Sequence, residues 1–66
     1  MNEKLLLTVG EAADRLGVGR SFLYQLIQRG ELQSLKLGRA RRVPLRALDE
    51  FVDKRLKDDL EMVGVR

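Results

Sequence analysis

Hydrophobic positions recur along the chain in two periods, and each change of period marks an element. From Val9 to Leu16 the apolar residues Val9, Ala12, Ala13 and Leu16 fall on one helical face, with Glu11, Asp14 and Arg15 outside it. Thr8 and Glu11 have the separation of a capping box, and Leu7 before the cap is placed to staple onto Ala12. Gly17 sits where a left-handed residue ends a helix, so a helix is predicted over residues 9–16. Gly17-Val18-Gly19 is a turn, and a second helix begins at Arg20 with Gly19 as an acceptable N-cap. Its inner stripe is Leu23, Leu26 and Ile27; Phe22 lies one position off that stripe and is expected half-buried. Arg20, Ser21, Tyr24, Gln25 and Gln28 face away, and Gly30 ends this helix as Gly17 ends the first. Two short helices, a glycine-containing turn and a small residue (Ala12 or Ala13) for close crossing describe a helix-turn-helix, although a plain helical hairpin has the same outline.

The period then falls to two. Leu35 and Leu37 alternate with Lys36, the mark of a half-buried strand. Gly38-Arg39-Ala40 makes a tight tip, and Arg41-Arg42-Val43 returns with Val43 inward and Arg42 outward. A two-stranded hairpin is marginal alone and must lean on helices. Pro44 stops the strand and opens a third helix, whose apolar positions are Leu45, Leu48, Phe51, Val52, Leu56, Leu60 and Val63. Eighteen helical residues span about 27 Å, whereas a compact chain of 66 residues has a radius of gyration of roughly 11 Å. The first half of that helix therefore closes the core. The second half, with Leu56, Leu60, Met62 and Val63, either folds back onto Leu5 and Leu6 or meets another protein, a second copy included. Met1–Lys4 is read as a loose start. The expected architecture is mainly α with a small β-hairpin, in the order α-turn-α-β-β-α. It forms a single domain over residues 1–66, with a core at about 5–53 and a helical extension at about 54–63.

Composition narrows the chemistry. The 66 residues include neither histidine nor cysteine, which removes imidazole and thiolate metal sites, cysteine nucleophiles, histidine bases and disulfides. Apolar residues make up 44%, enough for a compact core. The longest apolar run, Leu5-Leu6-Leu7, is too short for a signal-peptide core or a membrane span, so a cytoplasmic location is expected. A chain this size has little room for a lined substrate cavity, and its partner is expected on the surface.

Charge then locates that surface. The net charge is only +3, but residues 20–46 carry seven cations (Arg20, Arg29, Lys36, Arg39, Arg41, Arg42 and Arg46) against the single acid Glu31. The flanking segments are slightly acidic. All seven are expected on one side of the scaffold, giving a directional electrostatic face. Six of the seven are arginine, whose planar fork suits phosphates and base edges.

A helix about 10–12 Å across fits the major groove of DNA, and the second helix of such a motif presents its N-terminal residues to base edges. Arg20 then has the geometry to bind guanine, and Gln25 and Gln28 to bind adenine; the Ser21 and Tyr24 hydroxyls are natural phosphate partners. Arg39 and Arg41 at the hairpin tip are placed to enter or straddle the adjacent minor groove. Arg42 either joins them or pairs with an acid of the third helix, and Arg46, poorly placed for the helix dipole, suggests a phosphate contact. The acids Asp49, Glu50, Asp53, Asp58, Asp59 and Glu61 lie on the polar side of an exposed helix, where Lys54, Arg55 and Lys57 can pair with them along the helix, and nothing there tunes an acid–base pair. No glycine-rich phosphate loop is present, and no enzyme, cofactor, metal or small-molecule substrate is expected.

The run Leu6-Leu7-Thr8-Val9-Gly10-Glu11-Ala12-Ala13-Asp14-Arg15-Leu16-Gly17-Val18-Gly19-Arg20-Ser21-Phe22-Leu23-Tyr24-Gln25-Leu26-Ile27 resembles the excisionase-type winged helix-turn-helix family, a branch of MerR-like DNA-binding domains. Gly30-Glu31-Leu32, Leu35-Lys36-Leu37-Gly38-Arg39, Arg42-Val43-Pro44 and Ala47-Leu48-Asp49-Glu50-Phe51 continue the likeness, over about residues 5–53. The resemblance implies a recognition helix in the major groove, carried by Arg20, Ser21, Tyr24 and Gln25, and a wing in the minor groove, carried by Arg39 and Arg41. Gly19 stands in place of the usual serine cap, and Phe22 in place of a small threonine or serine. The resemblance further implies a phage or mobile-element excisionase. Such a protein sets the direction of site-specific recombination by binding and bending attachment-site DNA beside an integrase, in the cytoplasm and nucleoid of a bacterial host. Several copies side by side would supply affinity and bending. A small transcriptional regulator with the same domain, and an adaptor acting through the third helix, are the alternatives.

Overall fold

The computed structural model describes the backbone of residues 4–64 and the side chains of residues 4–59. Its elements run β1 (Leu6–Thr8), α1 (Val9–Leu16), α2 (Arg20–Gln28), β2 (Leu35–Leu37), β3 (Ala40–Pro44) and α3 (Leu45–Gly64). The result is a winged helix-turn-helix: helices α1 and α2 joined by a glycine turn, a small antiparallel sheet, and a closing helix.

Both helix–turn signals act as the residue types dictate. The Thr8 hydroxyl accepts from the Glu11 amide at 3.0 Å, and the Glu11 carboxylate accepts from the Thr8 amide at 3.0 Å, so two otherwise orphaned donors are satisfied reciprocally. At the other end Gly17 adopts φ 74°, which lets the Val18 amide reach back to the Ala13 carbonyl (3.0 Å) and the Gly17 amide to Asp14 (3.1 Å). Gly30 repeats the device for α2 at φ 78°: Glu31 donates to Leu26 (2.9 Å) and Gly30 to Ile27 (3.0 Å). Each glycine allows a left-handed turn that an L side chain would strain.

The sheet has the order β1-β3-β2, with β3 central and both pairings antiparallel. The sequence pattern foresaw β2 and β3 but not β1. Its three residues are too few to show alternation, and it is held by pairing with β3 in the register Leu6↔Pro44, Leu7↔Val43, Thr8↔Arg42. The ladder runs on into α3, where the Leu45 amide donates to the Leu5 carbonyl at 2.8 Å. Pro44 closes β3, and α3 begins one residue later. The tip is shorter than expected. Leu37 already pairs with Ala40, leaving Gly38-Arg39 as a two-residue loop. Gly38 has φ 63° and no other tip residue has positive φ, the pattern of a type II′ hairpin.

The core is Leu7, Val9, Ala12, Ala13, Leu23, Leu26, Leu32, Val43, Ala47 and Leu48, with Leu16, Val18, Ile27, Leu45 and Phe51 packed around it. Ala12 and Ala13 are fully buried on the face of α1 that crosses α2, as the small-residue reading required. One expectation fails. Leu35 and Leu37 stay 45% and 52% exposed, because β2 is an edge strand with no helix over either face. Phe22 is 43% exposed, half-buried as its position one step off the inner stripe predicts.

Helix α3 buries Ala47 and Leu48, half-buries Leu45 and Phe51, and leaves Val52 and Leu56 exposed. Leu5 is 79% exposed, so Leu56 does not fold back onto it; Leu60, Met62 and Val63 lie outside the described side chains. Glu31 ties the middle of α3 to the exit of α2. Its carboxylate accepts from Arg55 at 2.8 Å and lies 3.7 Å from Arg29, while the Arg55 guanidinium stands 5.2 Å from the Phe51 ring centroid. Arg55 thus reaches off its own helix to Glu31, where pairing with the acids of α3 was expected. Lys4, read as part of a loose start, pairs with Glu11 at 2.9 Å. Among the described residues no helix is long and apolar enough to cross a membrane.

Two stability predictions follow from this packing. Leu23→Ala removes a fully buried side chain at a cost of about 2–5 kcal/mol. A core of this size supplies only about 3–5 kcal/mol in total, so the variant is expected to be largely unfolded at 37 °C by circular dichroism. The second concerns acid. The Arg55 hydrogen bond, aided by the charges of Arg55 and Arg29, holds the Glu31 carboxyl below its ordinary value of 4.5, and Lys4 and the Thr8 amide do the same for Glu11. A depressed folded-state value means that stability is present above 4.5 and is lost as pH falls through the depressed range. The thermal midpoint should therefore fall below pH 4.5, and Arg55→Met should flatten part of that fall.

Candidate nucleic-acid interface

Helix α2 turns Leu23 and Leu26 inward, and this rotation leaves Arg20, Ser21, Tyr24, Gln25 and Gln28 exposed on the opposite side. All five side chains that the sequence assigned to the outer face are on it. Phe22, half-exposed, borders that face on the side of Gln25.

The wing stands beside the N-terminal end of α2. Between them lies an open hollow of about 500 Å³ lined by Thr8, Val9, Gly10, Arg20, Tyr24, Arg39, Arg41 and Arg42. Four arginines from two elements converge there, and no carboxylate lines it. None of the four forms an ion pair among the described residues. Two of them, Arg41 and Arg42, are held by neutral acceptors instead. Arg41 donates to the Ser34 hydroxyl at 2.7 Å, which ties it to the segment before β2. Arg42 donates to the Arg41 carbonyl at 3.0 Å, so the alternative of an acid on α3 is not taken. Arg39 occupies the second position of the hairpin loop and is exposed. Ser21, Gln25 and Gln28 do not line the hollow; they continue the exposed face of α2 away from it.

Of the seven central cations, four line the hollow and three do not. Arg29 lies against Glu31, and Lys36 is exposed on the edge strand without lining the hollow. Arg46 borders a separate, largely apolar groove with Leu5, Leu6, Leu35, Pro44, Leu45 and Asp49, so the phosphate contact suggested for it has no counterpart in the arginine hollow. The cause is topological: charge counting along a chain does not see which side of a sheet or helix each residue takes.

The sequence reading missed the contribution of α1. Thr8, Val9 and Gly10 form one wall of the hollow, and the Arg20 guanidinium lies across Gly10. The available signal was the glycine itself. Glycine in the first turn of an otherwise well-capped helix is unfavourable, and often marks a close approach.

Residues 6–56, the span from β1 to the exposed part of α3, match the family described as "Helix-turn-helix domain". The chain is 49% identical over 51 residues to a protein named "Excisionase" from Streptomyces ambofaciens, covering 77% of this chain and 82% of that one. The chain belongs to the excisionase-type helix-turn-helix family. A second member, named "Probable excisionase" and from Saccharopolyspora erythraea, is 48% identical over 48 residues, which is 73% of this chain and 49% of that protein. The chain thus spans about half the length of one excisionase relative and about four-fifths of the other. No solved structure matches it at a significant level. The matched span of this excisionase-type domain contains every residue of the arginine hollow and the whole exposed face of α2.

Proposed function

We propose that this protein binds double-stranded DNA, bends it, and thereby directs integrase-mediated site-specific recombination toward excision. The observation that carries the reading is the hollow between α2 and the wing, where Arg20, Arg39, Arg41 and Arg42 converge with no acid beside them. A polyanion fits such a surface, and an acidic protein surface would lack the regular phosphate spacing that two adjoining elements can straddle. Helix α2 enters the major groove with Ser21, Gln25 and Gln28 toward base edges and backbone, and Tyr24 offers its hydroxyl to a phosphate. The wing carries Arg39 toward the adjacent minor groove, with Arg41 and Arg42 behind it.

A helix of nine residues and one hairpin read only a short site. Copies placed side by side on repeated attachment-site sequences would accumulate both affinity and bend, next to an integrase. The protein then works as an architectural factor and not as an enzyme, on DNA in the bacterial cytoplasm. Self-association along DNA, with or without the exposed Val52 and Leu56 of α3, is part of the same proposal.

Gel-shift measurements on attachment-site repeats should show binding that weakens steeply with salt; no shift at low salt overturns the reading. Arg39→Ala should weaken binding to all sequences alike and lower the salt slope by about one. Gln25→Ala should instead cost about 1–3 kcal/mol of discrimination at one base-pair position, read by competition among single-base variants. Bending is tested by circularly permuted probes. Complexes should migrate more slowly when the site is central, and uniform mobility removes the architectural part of the proposal.

A further inference from the structure

We propose that the hollow seats a single phosphodiester of the DNA backbone, and that Gly10 is the positioning residue that lets Arg20 hold it. This deepens the DNA-binding reading and rests on it. It also gives Arg20 a different part from the base contact that its place at the start of α2 suggests.

The geometry starts from Gly10, the second residue of α1. A β-carbon there would stand 2.9 Å from Arg20 Nη2, 3.0 Å from Nε and 3.2 Å from Cζ. The Nε–Nη2 edge of the guanidinium therefore occupies the space that a β-carbon would take and that glycine leaves free. Arg20 runs from the first turn of α2 back to the first turn of α1, away from the face that carries Ser21, Gln25 and Gln28. In that position it borders the hollow, with Arg39, Arg41, Arg42 and the Tyr24 ring on the other walls.

Electrostatics says what is missing. The amides of a first helical turn have no intrahelical acceptor, and that end of the helix is positive. A guanidinium laid against it, in a hollow that three more arginines also line, has no anion beside it. The one acid of the turn, Glu11, is spent on Lys4 and the Thr8 amide and does not line the hollow. An anion placed in the hollow would meet the Arg20 guanidinium with charge-assisted hydrogen bonds from its planar fork, in the field of the wing arginines. The hollow is open and adjoins the face of α2 and the wing, so the anion it suits is one carried past on an extended backbone.

Glycine is a poor helix residue, so Gly10→Ala ought to help α1 by propensity. The clash it creates falls on the far end of a flexible side chain, which can swing away without disturbing the core. The fold should tolerate the substitution and the seat should not. That separates a positioning role from a structural one.

The experiment compares the full-length wild type, Gly10→Ala, Arg20→Ala and the double variant by duplex affinity across a salt series, with thermal midpoints alongside. Gly10→Ala should keep or raise the midpoint yet weaken duplex binding about tenfold, the scale of one charge-assisted hydrogen bond. Arg20→Ala should weaken binding at least as much, alike on all sequences, and lower the salt slope by about one. The double variant should match Arg20→Ala alone, because Gly10 acts only through Arg20. Unchanged binding by Gly10→Ala, or losses that add in the double variant, overturns the proposal while leaving DNA binding intact. So does an Arg20→Ala loss confined to one base pair. Displacement of duplex by low-millimolar inorganic phosphate also overturns it, by marking a seat for a free anion. If Gly10→Ala does not fold, Arg20→Ala decides by the same uniformity and slope. A wild type that binds no duplex at low salt removes the functional reading itself, and the proposal with it.

Discussion

The pairing of Leu7 with Val43 fixes the wing relative to the helices. Both side chains are buried, and both belong to three-strand pairing that no local signal in β1 announces. Side chains alternate along β3, so a slip of one residue would turn Val43 out and Arg42 in. The apolar cost of that slip is what holds Arg42 on the outer side, opposite Thr8. Thr8 is in turn the cap of α1, so one register aligns the wing arginines with the first turn of a helix distant from them in sequence. The hollow is a by-product of core packing, and it needs no polar group in the interior: among the described residues no polar or charged side chain is buried.

The same economy appears at the other end of the molecule. The apolar contacts of α3 run out near Phe51, yet the helix continues to Gly64. Glu31, at the exit of α2, takes over with two arginines from different elements. Exposed ion pairs contribute little individually. Here the pair adds to the Arg55 packing on Phe51 and ties the exposed middle of α3 to the exit of α2.

Much of this was legible in the sequence, and the boundary is instructive. Local rules located α1 and the start of α2 to the residue, because Thr8, Glu11 and Gly17 each act within one helical turn of their own position, and Gly30 marked the end of α2 to within a residue or so. The outward face of α2 followed from the period of Leu23 and Leu26. What stayed hidden was non-local. Strand β1 exists only because β3 is beside it. Leu35 and Leu37 alternate correctly but have no partner layer, so their period misreported burial. Charge along the chain located the arginine-rich middle, yet only topology separates Arg39, Arg41 and Arg42 from Arg29 and Arg46. Gly10 was visible as a residue but not as a surface, since its neighbour Arg20 comes from another helix.

The hairpin loop of the wing has only two residues, and Gly38 alone supplies the left-handed step it needs. A connection this short has few alternative shapes, so Arg39 is presented on a nearly pre-set support. Little backbone entropy is left to surrender when the tip meets another surface. More of each contact there survives as net affinity, and the residue at the tip can be exchanged without reshaping the support that carries it.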